Sequence, residues 1–485
     1  MAHNKAPDIP YSGPDLCRME AHVIVDLLKS RKVSPDELLK AAFERIEQVE
    51  PDVNAMPITC RELAETKTSG LDESLSGHPG YLAGLPIAIK DLTPVKDVLT
   101  TFGTLFMKDY IPEESDAVVS TLEERGGVVV GKTNTPEFGA GGNTFNPVFG
   151  ATRNPWDTQL NAGGSSGGAA VSLATGEVWL SHGSDHGGSL RTPAAYNGIV
   201  GLRPSSGICG SSTETTFHLE AQQGPMARSV RDCALFLDAM AGFQKHMPTS
   251  YPAPETPYQN AALTGNTKVR IGFSPDLGGL LPVEPEMDSC LRNGLLAIEK
   301  NGGSVEEVNL NLSKLVETYY TFRRFMWATK YRRVSETFLK GLKPVLAEDL
   351  ALGKALAVDD IADAELNRMA LFRKMVRIFD QFDVLACPVV GSMPRAVETE
   401  WVGEINGQKL NGYMDWLGFA FLATVTGLPA MSVPAGFSAD GIPVGIQLIG
   451  PPRGEAKLIE VARAVEMAVG GPFKVIDPKV MHRDQ

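Results

Sequence analysis

Along the chain, the first sharp change of pattern falls at Ser34-Pro35-Asp36-Glu37, where a polar stretch gives way to apolar residues at helical spacing. Serine at the N-cap, proline at the first helical position and glutamate at the third make a capping box. Leu38, Leu39, Ala42, Phe43, Ile46 and Val49 then recur on one face, which predicts an amphipathic helix. Beyond it the pattern turns to short unbroken apolar runs. "LPIAIK" (85–90) and "GVVVGK" (127–132) read as buried strands, separated by a helical segment ending near Arg125. Residues 139–168, rich in Gly, Asn and Ser, read as loop, and "AAVSLATG" as a helix packed closely through small residues. Farther on, "VRIGFS" (269–274), a helix around Met287–Lys300 and "SVEEVNL" (304–310) form a βαβ-like unit. Residues 311–381 are charged, aromatic and helical; "FDVLACPVV" (382–390) is a strand, and "AKLIEVARAVEMAV" a closing helix. This alternation predicts an α/β fold with a large mixed sheet covered on both faces by helices. With no internal repeat and no low-complexity linker, residues 1–485 read as a single domain.

Composition narrows the partners. The net charge of −13, with no Lys/Arg run to offset it, argues against nucleic acid and anionic membranes. The six cysteines are scattered without a CxxC, as expected of reduced thiols in a cytoplasmic protein. No secretory h-region opens the chain. Residues 416–439 carry no charge, yet Gly427, Pro429, Pro434 and Gly436 interrupt any spanning helix, so a buried helix, a turn and a buried strand are expected there. No His/Cys/Asp cluster has metal-ligand spacing, and no cofactor motif survives scrutiny, so neither metal nor cofactor is expected. The sequence leaves a homodimer open.

Three motifs compete for the chemistry. "GGVVVGKT" (126–133) satisfies the phosphate-loop pattern, with Lys132 as its lysine, and raises a nucleotide-binding ATPase. Its variable positions, however, are a β-branched run suited to a strand, not a bend that cradles phosphates. "GGSSG" (163–167) fits the nucleophile-elbow pattern, but the preceding "RNPWDTQLNA" lacks the strand an elbow needs. "SDHGGSLRTP" (184–193) places Asp185, His186 and Ser189 together, but a Ser-His-Asp triad converges from separate segments. What remains is a pair of Gly-Gly-Ser turns, at Ser165 and Ser189, and a lysine, Lys90, closing an apolar strand. A buried lysine either pairs, here with Asp91, or loses its proton and serves as a base.

The ordered set "GLPIAIKD", "GKTNTPEFG", "TRNPWD", "GGSSGGAA", "GSDHGGSLRTPAAYNGIVGLRPS" and "GPMAR", with "TGLPAMSVPAGFSADGIPVGIQLIG" later, resembles the amidase signature family. The matches run densely through about 80–240, the signature core, and well through 380–470. The resemblance implies the amidase signature fold and a Ser-cisSer-Lys triad. Lys90 is then the base, Ser165 the bridging serine after a cis peptide, and Ser189 the nucleophile that forms an acyl-enzyme. It also implies an oxyanion hole of backbone N–H groups at His186, Gly187, Gly188 and Ser189, with Asp185 and Arg191 pairing to support the loop. His186 departs from the family, which usually carries a small or aliphatic residue there.

Family members cleave C–N bonds in aliphatic, aryl and fatty-acid amides, in carbamates (urethanes) or in glutamine. The expected substrate is a hydrophobic or aromatic amide or carbamate, as in the aryl-acylamidase and urethanase branch. Residues 311–381 and the loop 138–150 are expected to line its pocket, with Tyr319, Tyr320, Phe322, Phe325, Met326 and Trp327 as candidate apolar walls. The alternative is the glutaminase (A) subunit of an aminoacyl-tRNA amidotransferase. Against it, Thr192 stands where those subunits commonly have glutamine.

Overall fold

The computed structural model describes residue 7 and residues 9–212 and 217–481. Its centre is an eleven-stranded mixed sheet. In chain order the strands are β1 (Ile58–Thr59), β2 (Leu85–Lys90), β3 (Gly127–Thr133), β4 (Leu180–Asp185), β5 (Val200–Arg203) and β6 (Gln222–Ala227), followed by β7 (Arg270–Phe273), β8 (Ser304–Glu307), β9 (Val384–Pro388), β10 (Ala430–Phe437) and β11 (Pro443–Ile449). Their spatial order is β1-β3-β2-β4-β6-β5-β10-β11-β9-β7-β8. Strands β3, β2 and β4 run parallel, as do β9, β7 and β8, and the middle of the sheet is antiparallel.

Both faces of the sheet are apolar. Ile87, Ile89 and Val129 join one buried cluster, while Ala88, Val128 and Val130 join another. Alternate side chains of a strand point to opposite faces, so helices must cover each side. Pro35–Val53 is one of these helices, and the capping box predicted for it is present: Ser34 Oγ accepts from Glu37 N at 3.2 Å, and Glu37 Oε2 from Ser34 N at 2.8 Å. Residues 416–439 form a short 3₁₀ segment, the helix Phe421–Thr426 and strand β10, all buried. Among the described residues no helix is long and apolar enough to cross a membrane.

Two expectations need correction. The loop 139–168 holds two small hairpins outside the main sheet, Phe145–Asn146 with Gly150–Ala151 and Arg153–Asn154 with Asp157–Asn161. Asn154 Oδ1 accepts from Trp156 N at 3.0 Å, an Asx turn that makes the second hairpin possible in so polar a stretch. The fold also gathers three potential metal ligands that spacing did not reveal, because Asp232 lies far from Glu20 and His22 in sequence. Their ligand atoms come within 4.8 Å of one another. Asp232 is already engaged there: its carboxylate accepts from Ala21 N at 2.8 Å and His22 N at 2.9 Å and so caps the helix Ala21–Lys29.

Candidate active site

Ile87 of β2 lies opposite Leu180 of β4, so the ends of these parallel strands, Lys90 and Ser184–Asp185, emerge at one edge of the sheet. Ligand sites of α/β folds characteristically form outside such carboxyl ends. Lys90 is wholly buried there. Its Nζ lies 2.7 Å from Ser165 Oγ, 2.8 Å from Ser166 Oγ and 3.1 Å from Ser184 Oγ. All three partners are neutral. Burial drives the Lys90 ammonium down to a pKa of about 7, and the nearby Asp185 carboxylate opposes this only in part.

Asp91 does not pair with Lys90. Successive strand positions face opposite ways, and Asp91 meets Lys132 Nζ at 3.2 Å instead. Lys132 also donates to Thr100 Oγ1 at 2.7 Å, and both ends of the ion pair are buried. The phosphate-loop match is thereby explained. Residues 127–133 are strand throughout, and the lysine is spent on an internal carboxylate.

The first Gly-Gly-Ser turn contains a cis peptide between Gly164 and Ser165 and leads into the helix Gly167–Ala174. The second follows β4, with Gly188 at φ +97°, a conformation that favours glycine. Ser166 N donates to Ser189 O at 3.2 Å and ties the two turns together. Ser189 retains 9 % exposure against 2 % for Ser165, so Ser189 is the more accessible of the two residues. Gly187 has no room for a side chain: a Cβ there would lie 2.5 Å from Tyr319 Oη.

Asp185 anchors this second turn. Arg191 grips its carboxylate with Nε at 3.0 Å and Nη2 at 2.8 Å, and Arg203 Nη1 reaches its backbone oxygen at 2.7 Å. Burial alone would raise the Asp185 carboxyl, but Arg191 and then Arg203 hold it well below the usual carboxylate range. The carboxylate also accepts from Gly188 N at 3.1 Å and Leu190 N at 3.0 Å. This corrects the expected oxyanion hole, since the Gly188 N–H is already engaged. The N–H groups of His186, Gly187 and Ser189 donate to no protein acceptor among the described residues.

The half-buried His186 ring points aside. Its Nδ1 lies 3.2 Å from Tyr319 Oη, and its backbone oxygen accepts from Thr424 Oγ1 at 2.7 Å. Burial, then Arg323 and Arg203, push its pKa well below the ordinary imidazole value. Tyr319 stacks flat on Phe421 with ring centroids 3.5 Å apart; both rings are fully buried, and Tyr319 presents its hydroxyl to Gly187. The other candidate aromatics spread outward: Tyr320 donates to Asp415, Phe322 lies under Arg368, Phe325 faces His218, and Met326 and Trp327 pack near Ala140. From the loop 138–150, Gly139 sits over Ser165, where a Cβ would lie 3.6 Å from Oγ. Ser166, Ser184, Arg203 and Thr424 join the site although the sequence motifs do not single them out. The doubled serine of "GGSSG" was the available signal for the first; the last comes from a segment remote in the chain.

A fully buried lysine without a carboxylate partner thus lies within hydrogen-bond distance of three serine hydroxyls, with the second Gly-Gly-Ser turn tied against the first. The chain belongs to the amidase signature family: the family's amidase profile matches residues 37–459. It is 34 % identical to an acylamidase of Rhodococcus erythropolis, over 90 % of this chain and 92 % of that protein. It is 32 % identical to the glutamyl-tRNA(Gln) amidotransferase (A) subunit of Moorella thermoacetica, over 94 % and 97 %. Among solved structures, a bacterial aryl acylamidase matches with a TM-score of 0.84 at 28 % identity, covering 93 % of this chain and 96 % of that one. A 6-aminohexanoate cyclic dimer hydrolase complexed with substrate matches at 0.85 and 26 %, covering 96 % and 99 %.

Proposed function

We propose that this amidase hydrolyses linear amides or carbamates with a hydrophobic or aromatic group, using Ser189 as nucleophile, Ser165 as relay and Lys90 as base. One observation carries the reading: Lys90 is fully buried without a carboxylate partner and lies 2.7 Å from Ser165 Oγ. A neutral amine so placed can accept the Ser165 proton as Ser165 takes that of Ser189. Ser189 Oγ then bonds to the carbonyl carbon, and the oxyanion receives the free N–H groups of His186, Gly187 and Ser189. As the intermediate collapses, the proton returns from Lys90 through Ser165 to the departing nitrogen, and the C–N bond breaks. Water releases the acyl group from Ser189 by the same relay. Asp185 and Arg191 hold the loop and take no proton. The chemistry needs no metal and no cofactor.

The likeness to the acylamidases supports a hydrophobic or aromatic substrate. A second reading, the glutaminase subunit of a tRNA amidotransferase, is favoured by the extent of the match to such subunits, 32 % identity over 97 % of one of them. A panel of p-nitroanilides, carbamates and glutamine on the purified chain separates the two. Turnover of anilides or carbamates without partner subunits is expected. Glutamine as the sole substrate, with partner subunits retained in a pull-down, would overturn the first reading.

A further inference from the structure

The helix Val358–Phe379 is 22 residues long, about 33 Å at 1.5 Å per residue. Its inner face is set by Ala364, Leu371 and Met375, which are buried, and by Arg368, whose guanidinium lies 3.5 Å over the Phe322 ring. Its outer face, otherwise charged, carries an apolar stripe where a solvated helix is ordinarily polar. Val358 is 81 % exposed, Leu366 70 %, Met369 46 % and Val376 37 %. With Ala362 and Arg373 these positions follow one another at steps of four and three residues, the spacing of a helix–helix seam. Apolar residues scattered singly over a surface need no explanation; a seam of four along one helix does.

We propose that this face is the contact between two copies of the chain, paired antiparallel about a two-fold axis. The charge pattern selects that partner. The first half of the helix carries Asp359, Asp360, Asp363 and Glu365, and the second carries Arg373, Lys374 and Arg377. Asp359 and Arg377 are about five full turns apart and so project from the same side of the seam. Asp363 lies on that side as well, as does Lys374, whose Nζ donates to Asn311 O of its own chain at 2.6 Å. In an isologous contact each residue meets its counterpart by symmetry. Antiparallel pairing centred between Leu366 and Met369 therefore sets Val358 of one copy against Val376 of the other, and Asp359 against Arg377. Among the described residues neither Asp359 nor Arg377 has a hydrogen-bond or ion-pair partner within its own chain. A parallel pairing would set acid against acid and base against base. The seam lies on the side of the helix away from the core, so dimerisation leaves the active-site residues untouched.

Sedimentation equilibrium of the full chain tests the proposal. The expected species is a dimer, twice the 52.1 kDa of one chain. Leu366→Glu should raise the dimer dissociation constant at least tenfold while leaving turnover per protomer and the thermal midpoint unchanged. Asp359→Arg and Arg377→Asp should each weaken the dimer, and the double exchange in one chain should restore it, since symmetry then rebuilds both pairs. A monomer at the highest soluble concentration overturns the proposal. So does a dimer indifferent to Leu366→Glu, or an exchange variant no tighter than the single variants.

Discussion

Replacing Lys90 by methionine separates the catalytic and the energetic consequences of burying an amine. Burial lowers the Lys90 pKa from 10.5 to about 7. The unfolded chain therefore binds more protons than the native one between those values, and native stability gains with rising pH across that window. The penalty for the buried group is fully present below pH 7 and is relieved as pH climbs toward 10.5. At about 1.4 kcal/mol per unit the whole span is worth about 5 kcal/mol, of which about 2 kcal/mol falls between pH 7 and 9. Methionine carries no such linkage. Urea unfolding of both proteins should thus show the wild type gaining about 2 kcal/mol on Lys90→Met over that interval, and nothing between pH 5.5 and 6.5. The absolute offset includes the serine hydroxyls left unpaired by the substitution, so the pH slope is the informative quantity. In parallel, wild-type kcat/KM on one anilide should rise through about pH 7 and stay high, and the variant should be inactive. A stability difference flat from pH 7 to 9, or an activity limb near pH 10, would refute a neutral buried amine.

Further outcomes follow from the same geometry. His186→Thr should keep at least about a tenth of wild-type turnover and the same pH limb, because in the proposed mechanism the group facing the oxyanion is the backbone N–H, whereas a histidine base would lose about a thousandfold or more. Asp185→Asn leaves Arg191 and Arg203 buried without their carboxylate and should destabilise the fold by about 3–5 kcal/mol, read from denaturant midpoints. Lys132→Met isolates the buried Asp91 and should cost a similar amount, about 3–5 kcal/mol, while ATP at millimolar concentration leaves the wild-type melting temperature unmoved. Prolonged dialysis against EDTA should leave kcat/KM unchanged, since Asp232 of the Glu20–His22–Asp232 group is already engaged in capping a helix.

Strands with simple apolar texture were legible in the sequence: "LPIAIK" is strand from Leu85 to Lys90, and the capping box opens its helix at Pro35 as predicted. Strand β4 was not, because "LSHGSD" is polar. It is buried nonetheless: His182 Nε2 meets Gln223, Ser184 meets Lys90 and Asp185 two arginines, while Ser181 Oγ has no partner among the described residues. The glycine-rich motifs marked the site's backbone. What they could not convey is which lysine pairs with Asp91, a matter of strand register and of which face each side chain takes. Nor could they show that Asp185 captures the Gly188 N–H, or that Thr424 buttresses His186 from the far end of the chain.

In the proposed mechanism Ser189 carries the acyl group on a relay ending at Lys90. Acid quenching during turnover of an anilide, followed by mass spectrometry of the digested protein, tests it most directly. An adduct of the acyl mass on the peptide containing Ser189, absent from Ser189→Ala with at least about a thousandfold lower activity, is the predicted result. An adduct on Ser165, or a Ser189→Ala protein within tenfold of wild type, would contradict it.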